Sequence, residues 1–172
     1  GIHQNRYNGN EIYYSELDTD RSTNPENFSI SSGDDAEYAQ VRQPLNTGRK
    51  SKGVDFNNLY DGGEPKVIRH HWIYLEVPAA LKRGKSYTIS LNDIASNVNM
   101  YSFVYDEGVL RSPAIHVNQI GFVPEAPKYA YLSHFMGSFN TGTHAEGGLN
   151  LDTYADGAFH IVHVVDDSVM FS

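Results

Sequence analysis

No stretch of about a dozen residues keeps apolar side chains at the i, i+3, i+4, i+7 spacing of an amphipathic helix without a Gly, Pro or Asn interrupting it. Alternation recurs instead. Ile73, Leu75 and Val77 fall on one face of a period-two segment and Trp72, Tyr74 and Glu76 on the other, the pattern of a sheet with one buried and one wetter face. Tyr87, Ile89 and Leu91 alternate in the same way. Tyr101, Phe103 and Tyr105 repeat the pattern after the polar link 92–99, which predicts a hairpin with a long loop. The expected fold is all-β, built from Ig-like or fibronectin-like β-sandwich modules.

Between these runs, Gly84 marks a turn and Tyr87 opens the next strand, the spacing of a tyrosine corner in such sandwiches. An ordinary strand Tyr after an ordinary turn fits the same residues, and the sequence leaves both readings open. The first sixty residues are more polar. Candidate strands there are 12–14, 28–30 and 38–41, while 45–53 reads as a basic, Gly-bearing loop. A strand ends near Arg111, and Ser112-Pro113 favours extended backbone. Two modules follow, 1–111 with long polar loops and 112–172.

Composition narrows the possible partners. Hydrophobic residues make up 40% of the 172, enough apolar surface to offset the entropy of ordering. Thirteen Lys and Arg against twenty-one Asp and Glu leave a formal charge of -8, so phosphate backbones and anionic lipid surfaces are poor partners, and neither nucleic acid nor membrane is expected. The longest apolar run, 161–165, is broken by His163 and falls far short of the ~18 residues that span a bilayer. Cysteine is absent, which excludes disulfides and thiolate metal sites and says nothing about compartment.

The most specific segment is Ile115-His116-Val117-Asn118-Gln119-Ile120-Gly121-Phe122-Val123-Pro124, followed by Lys128-Tyr129-Ala130-Tyr131-Leu132. It resembles the opening of the N-terminal Ig-like domain that precedes the catalytic domain of glycoside hydrolase family 9 (cellulase-type) proteins. The matching positions are Val117, Asn118, Gln119, Gly121, Phe122, Pro124, Lys128 and Ala130. Elementary chemistry agrees with a strand that turns a corner. Ile115 and Val117 can face a core, Gly121 supplies a conformation closed to bulky residues, and Pro124 ends the pairing. The amides of Asn118 and Gln119 are expected to satisfy backbone groups in that corner, with direct sugar contact as the sharper alternative.

The resemblance covers about 112–172 and departs from the family in two ways. A Gly-, Asn- and His-rich insertion lies between Leu132 and Ala158, and the sequence ends at Ser172, short of the roughly 100 residues of an Ig-like domain. The second module is therefore expected to be incomplete, its remaining strands lying past Ser172 or on another chain. The resemblance implies a secreted, periplasmic or cell-surface protein. Family 9 catalytic domains are helical barrels with paired carboxylates. Tyr154-Ala155-Asp156-Gly157-Ala158 lacks the pair that inverting hydrolysis needs, so no catalytic residue is assigned.

Three side-chain groups remain. His70, Trp72 and Tyr74 share a strand face, where three flat rings can form a platform for pyranose stacking or a surface on which a neighbouring domain docks, the latter being favoured. Asp18, Asp20, Ser22, Asn24 and Glu26 place oxygen at every second residue, as a loop wrapping calcium would, although Thr23 and Ser29 stand where an EF-hand needs Gly and Glu. A solvated polar loop is the simpler reading. His134, His144, His160 and His163 crowd the C-terminal third, and if 159–165 is a strand, His160 and His163 point apart.

The expected function is that of a non-catalytic β-sandwich region in a secreted polysaccharide-degrading protein, orienting or stabilising a downstream glycosidase domain. A carbohydrate-binding module and a structural subunit of an extracellular assembly are the alternatives. The corresponding partners are a downstream catalytic domain or companion chain, and polysaccharide.

Overall fold

The computed structural model describes residues 2–4, 11–13, 16–57, 66–139, 147–154, 160–163 and 165–171. The strands among them run in chain order as β1 (Ile2–Gln4), β2 (Glu11–Tyr13), β3 (Ser29–Ser31), β4 (Asn46–Asn57), β5 (Lys66–Glu76) and β6 (Ser86–Ser90). They continue as β7 (Met100–Val104), β8 (Ile115–Val117), β9 (Ala130–Leu132), β10 (Ser138–Phe139), β11 (Ile161–Val162) and β12 (Val169–Phe171). Helical turns among the described residues are short 3-10 segments, and the fold is all-β. The strands pair antiparallel into small sheets, ordered β1-β2, β3-β6-β7, β10-β4-β5, β8-β9 and β11-β12, an arrangement consistent with β-sandwich modules.

The core sits on the β3-β6-β7 sheet. Ile30, Tyr38 and Tyr87 are buried together, with Val77, Leu81, Ile89 and Phe103 packed around them. The hairpin expected from 87–91 and 101–105 forms β6 and β7, with Tyr87 opposite Phe103 and Ile89 opposite Tyr101. Tyr87 does make the corner. Its ring packs edge-on against Tyr38, with centroids 5.4 Å apart. Its hydroxyl accepts the backbone N–H of Lys82 at 2.8 Å, closing the turn in which Gly84 adopts φ +77.

The same hydroxyl donates to Asp35 at 2.7 Å, and Lys82 Nζ donates to the other carboxylate oxygen at 2.7 Å. Asp35 is buried, and it also accepts the backbone N–H of Glu37. The bond from Lys82 and then that from Tyr87 hold its carboxyl down at a pKa of about 2. One buried anion thus joins the turn before β6 to the loop after β3, with both of its oxygens accepting hydrogen bonds as a buried charge requires.

Two expectations from the first sixty residues are corrected. Residues 38–41 are not a strand. The Asp35 cap starts a 3-10 turn over Ala36–Tyr38, which swings Tyr38 into the core, and pairing resumes only at the bridge from Arg42 to Ile30. Residues 45–53 are not a loop: Asn46 onward is β4, paired with β5 along its length. Cross-strand pairing, not an apolar stripe, holds this polar segment extended, and a register shift between Gly53 and Asp55 absorbs its irregularity. The candidate 12–14 overlaps β2, and Tyr14 lies outside the described residues.

Contacts cross the 111/112 boundary. β10 adds to β4, with Ser138 opposite Arg49 and Phe139 opposite Gly48. Phe139 is buried over Gly48, where a Cβ would stand 2.0 Å from its ring, so this glycine is what admits the aromatic side chain. Arg83 also pairs with Asp167 at 2.7 Å.

Candidate functional site

The β4–β5 hairpin organises the aromatic face. Its register sets Lys50 opposite Trp72, Lys52 opposite His70 and Gly48 opposite Tyr74, so the side chains of Lys50, Lys52, His70, Trp72 and Tyr74 share one side of the ribbon. Trp72 is 41% exposed, enough to present part of the indole to solvent. His70 and Trp72 meet edge-to-face, with centroids 6.3 Å apart and planes at 73°, and Tyr74 meets His134 at 5.6 Å and 69°. His70 and Trp72 are therefore not coplanar but stepped, the geometry that ring quadrupoles prefer.

Two residues that the sequence did not assign complete this face. Lys50 Nζ lies 5.6 Å from the Trp72 centroid and 5.3 Å from that of Tyr74, within cation–π range of both. The ring nitrogen Nε2 of His134 lies 3.0 Å from the Tyr74 hydroxyl and 3.3 Å from Lys50 Nζ, so it accepts from donors on the hairpin. Burial, and then the Lys50 charge, push the His134 pKa down, which keeps this ring a neutral acceptor. Period-two spacing was the available signal for Lys50 once 46–57 is read as a strand. His134 comes from a distant loop and leaves no local signature. His144 lies outside the described residues.

The corner motif closes on itself. β8 and β9 pair Ile115 with Leu132 and Val117 with Ala130. Asn118 Oδ1 accepts the backbone N–H of Ile120 at 2.9 Å, and Gly121 takes φ +116. Lys128 Nζ donates to the carbonyls of Pro124 and Ala126 at 2.9 and 3.2 Å, stapling the loop. Gln119 is exposed and makes no such bond to the described residues, so the backbone role expected of both amides falls to Asn118 alone.

Ile115 and Val117 do not face a core: they are 55% and 53% exposed, because no further sheet among the described residues covers this two-stranded ribbon. They line, with Phe122, Tyr129, Leu132 and Ile161, an apolar cleft of about 220 Å³.

The alternating oxygen residues near the N-terminus do not converge. Asp18 Oδ1 accepts the N–H of Arg21, Ser22 is buried with its hydroxyl donating to the Thr19 carbonyl, and Asn24 Oδ1 accepts the N–H of Glu26. The segment folds as two 3-10 turns, Arg21–Thr23 and Pro25–Asn27, instead of one wrapping loop. Asp20 and Glu26 side chains are left on the surface. Among the described residues no three His, Asp or Glu are grouped to hold a metal ion.

His163 Nδ1 pairs with Asp166 at 3.0 Å beside the β11–β12 turn, a local bond. The strand expected over 159–165 is confined to Ile161–Val162, and Phe159, Val164 and Asp156 lie outside the described residues.

The fold and these surfaces define an all-β protein with an aromatic, cationic hairpin face and a half-exposed apolar ribbon. Comparison with known proteins finds no matching family model, no matching curated protein and no matching solved structure.

Proposed function

We propose that this chain is a non-catalytic β-sandwich region of a secreted polysaccharide-degrading protein, and that its 112–172 module seats a glycosidase domain. The observation that carries the reading is the half-exposed apolar ribbon. A segment with the cellulase-type corner motif leaves Ile115, Val117, Phe122 and Leu132 exposed around one cleft, where a partner would remove them from water. Burial of such side chains contributes about 25 cal/mol per Å² of apolar area, the usual driving term of a domain interface.

The test is calorimetric titration of the purified chain with the glycosidase domain encoded in the same gene or beside it. Ile115→Asp and Phe122→Asp, both at exposed positions, should weaken association at least as much as a lost interface hot spot, roughly 2 kcal/mol, with an unchanged circular dichroism spectrum. Binding indifferent to both changes, or a gene neighbourhood without any glycosidase, would overturn the reading.

A second reading has its own support. The half-exposed Trp72 beside the Lys50 ammonium favours direct glycan contact on the hairpin face over domain docking there, since Lys is depleted from protein interface cores.

A further inference from the structure

The β4–β5 hairpin gathers positive charge within an acidic chain. Arg49, Lys50, Lys52, Lys66 and Arg69 lie on it against Asp55 and Glu76, so the two strands carry three positive charges net (five minus two) while the whole chain carries -8. Register divides them between faces. Lys50 and Lys52 stand with His70, Trp72 and Tyr74, whereas Arg49 and Arg69 fall on the opposite side, where Arg49 meets His71.

Lys50 is fixed by its bond to the Phe135 carbonyl at 3.1 Å and by the two rings below it, and Lys52 is exposed. Among the described residues neither has a carboxylate partner. An aromatic surface with one such ammonium group over its rings and a second beside them matches a ligand that is apolar on one face and anionic at its rim.

We propose that this face binds uronate polysaccharide, with Trp72 stacking on a sugar ring and Lys50 and Lys52 meeting sugar carboxylates. The inference rests on the reading of the Trp72 face as a glycan site and adds the chemical class of the glycan. The Cα atoms of Lys50 and Lys52, two residues apart on a strand, stand roughly 6.5 Å from each other, so both side chains can reach carboxylates recurring along a chain. Screening confines each field to about 8–10 Å at ordinary ionic strength, so a ligand on this face meets the hairpin's charge instead of the chain's. Phosphate recognition would favour the guanidinium fork, and both arginines are on the other side.

Affinity electrophoresis of the full chain tests this in gels containing polygalacturonate, fully methyl-esterified pectin, neutral β-glucan or single-stranded DNA. The expected result is retardation by polygalacturonate alone, fading as salt rises, abolished by Trp72→Ala and weakened roughly two- to fivefold by Lys52→Gln. Trp72-dependent retardation by the esterified pectin or the β-glucan overturns the carboxylate class while leaving the glycan reading standing. No retardation by any glycan removes both, and preferential retardation by DNA replaces the proposal with a nucleic-acid site. Lys52 is a surface residue, so Lys52→Gln and the salt series decide the matter even if Trp72→Ala fails to fold.

Discussion

At the scale of single residues, Tyr87, Asp35 and Gly121 carry the sharpest consequences. Tyr87 joins the Lys82 backbone to the Asp35 carboxylate, so Tyr87→Phe deprives a buried anion of a donor and should cost roughly 1.5–3 kcal/mol in urea unfolding. Asp35 gives the pH dependence. Its folded pKa, about 2, lies below the ordinary 3.8, so the deprotonated form is favoured by folding. That stabilisation is complete above the ordinary value and is lost as pH falls through the folded one. Thermal midpoints should therefore drop between about pH 4 and pH 2 more steeply in the wild type than in Asp35→Asn. Parallel curves would show that the carboxylate is not coupled to folding. Gly121 sits at φ +116 with nothing within 4 Å of a Cβ placed there, so the penalty of Gly121→Val is backbone strain alone, about 1–3 kcal/mol. An unchanged melting temperature would exclude that strain. Gly84 and Gly121 were both legible as turn glycines, because their neighbours carry strand patterns that must stop there. The Asp35 anchor was not, since its partners come from residues 47 and 52 positions away.

At the scale of elements, legibility followed the source of the pairing energy. β5, β6 and β7 declare themselves by alternating apolar residues, because one face of each meets other side chains. β4 does not, since Lys50, Lys52 and Gly53 offer no apolar stripe, and its extension depends on the partner strand. The aromatic half of the hairpin face was accordingly readable and its cationic half was not. β10 is two residues long and finds β4 from far along the chain, which no local pattern announces. Gly137 makes that docking possible. It adopts φ +88, and a Cβ there would stand 2.0 Å from the Arg49 carbonyl oxygen. Gly137→Ala should release β10, destabilise the chain by roughly 1–3 kcal/mol and speed amide exchange along the adjoining part of β4. Retained protection of the Arg49 and Ser138 amides would exclude this account.

At the scale of the whole molecule, buried contacts are unevenly spread, and stability should be too. The β3-β6-β7 sheet carries the packed Ile30, Tyr38 and Tyr87, whereas β8-β9 and β11-β12 are two-stranded ribbons with exposed side chains. Ribbons of that kind are marginal alone, so they should open by local fluctuations well below the global unfolding energy. Native-state hydrogen exchange should find the amides of Tyr87 and Ile89 opening only with global unfolding, and those at 115–117 and 130–132 exchanging faster. The same measurement separates the two binding proposals by place. A glycosidase domain seated on the ribbon should slow exchange at 115–117 and 130–132, while polygalacturonate should slow it at 50–52 and 70–74. Each partner is expected to leave the other region at its free rate, because the surfaces rest on different sheets. Uniform protection across the β3-β6-β7 sheet and the ribbon in the free chain would show instead that the ribbon belongs to one cooperative unit, already as stable as the core, with little to gain from a partner.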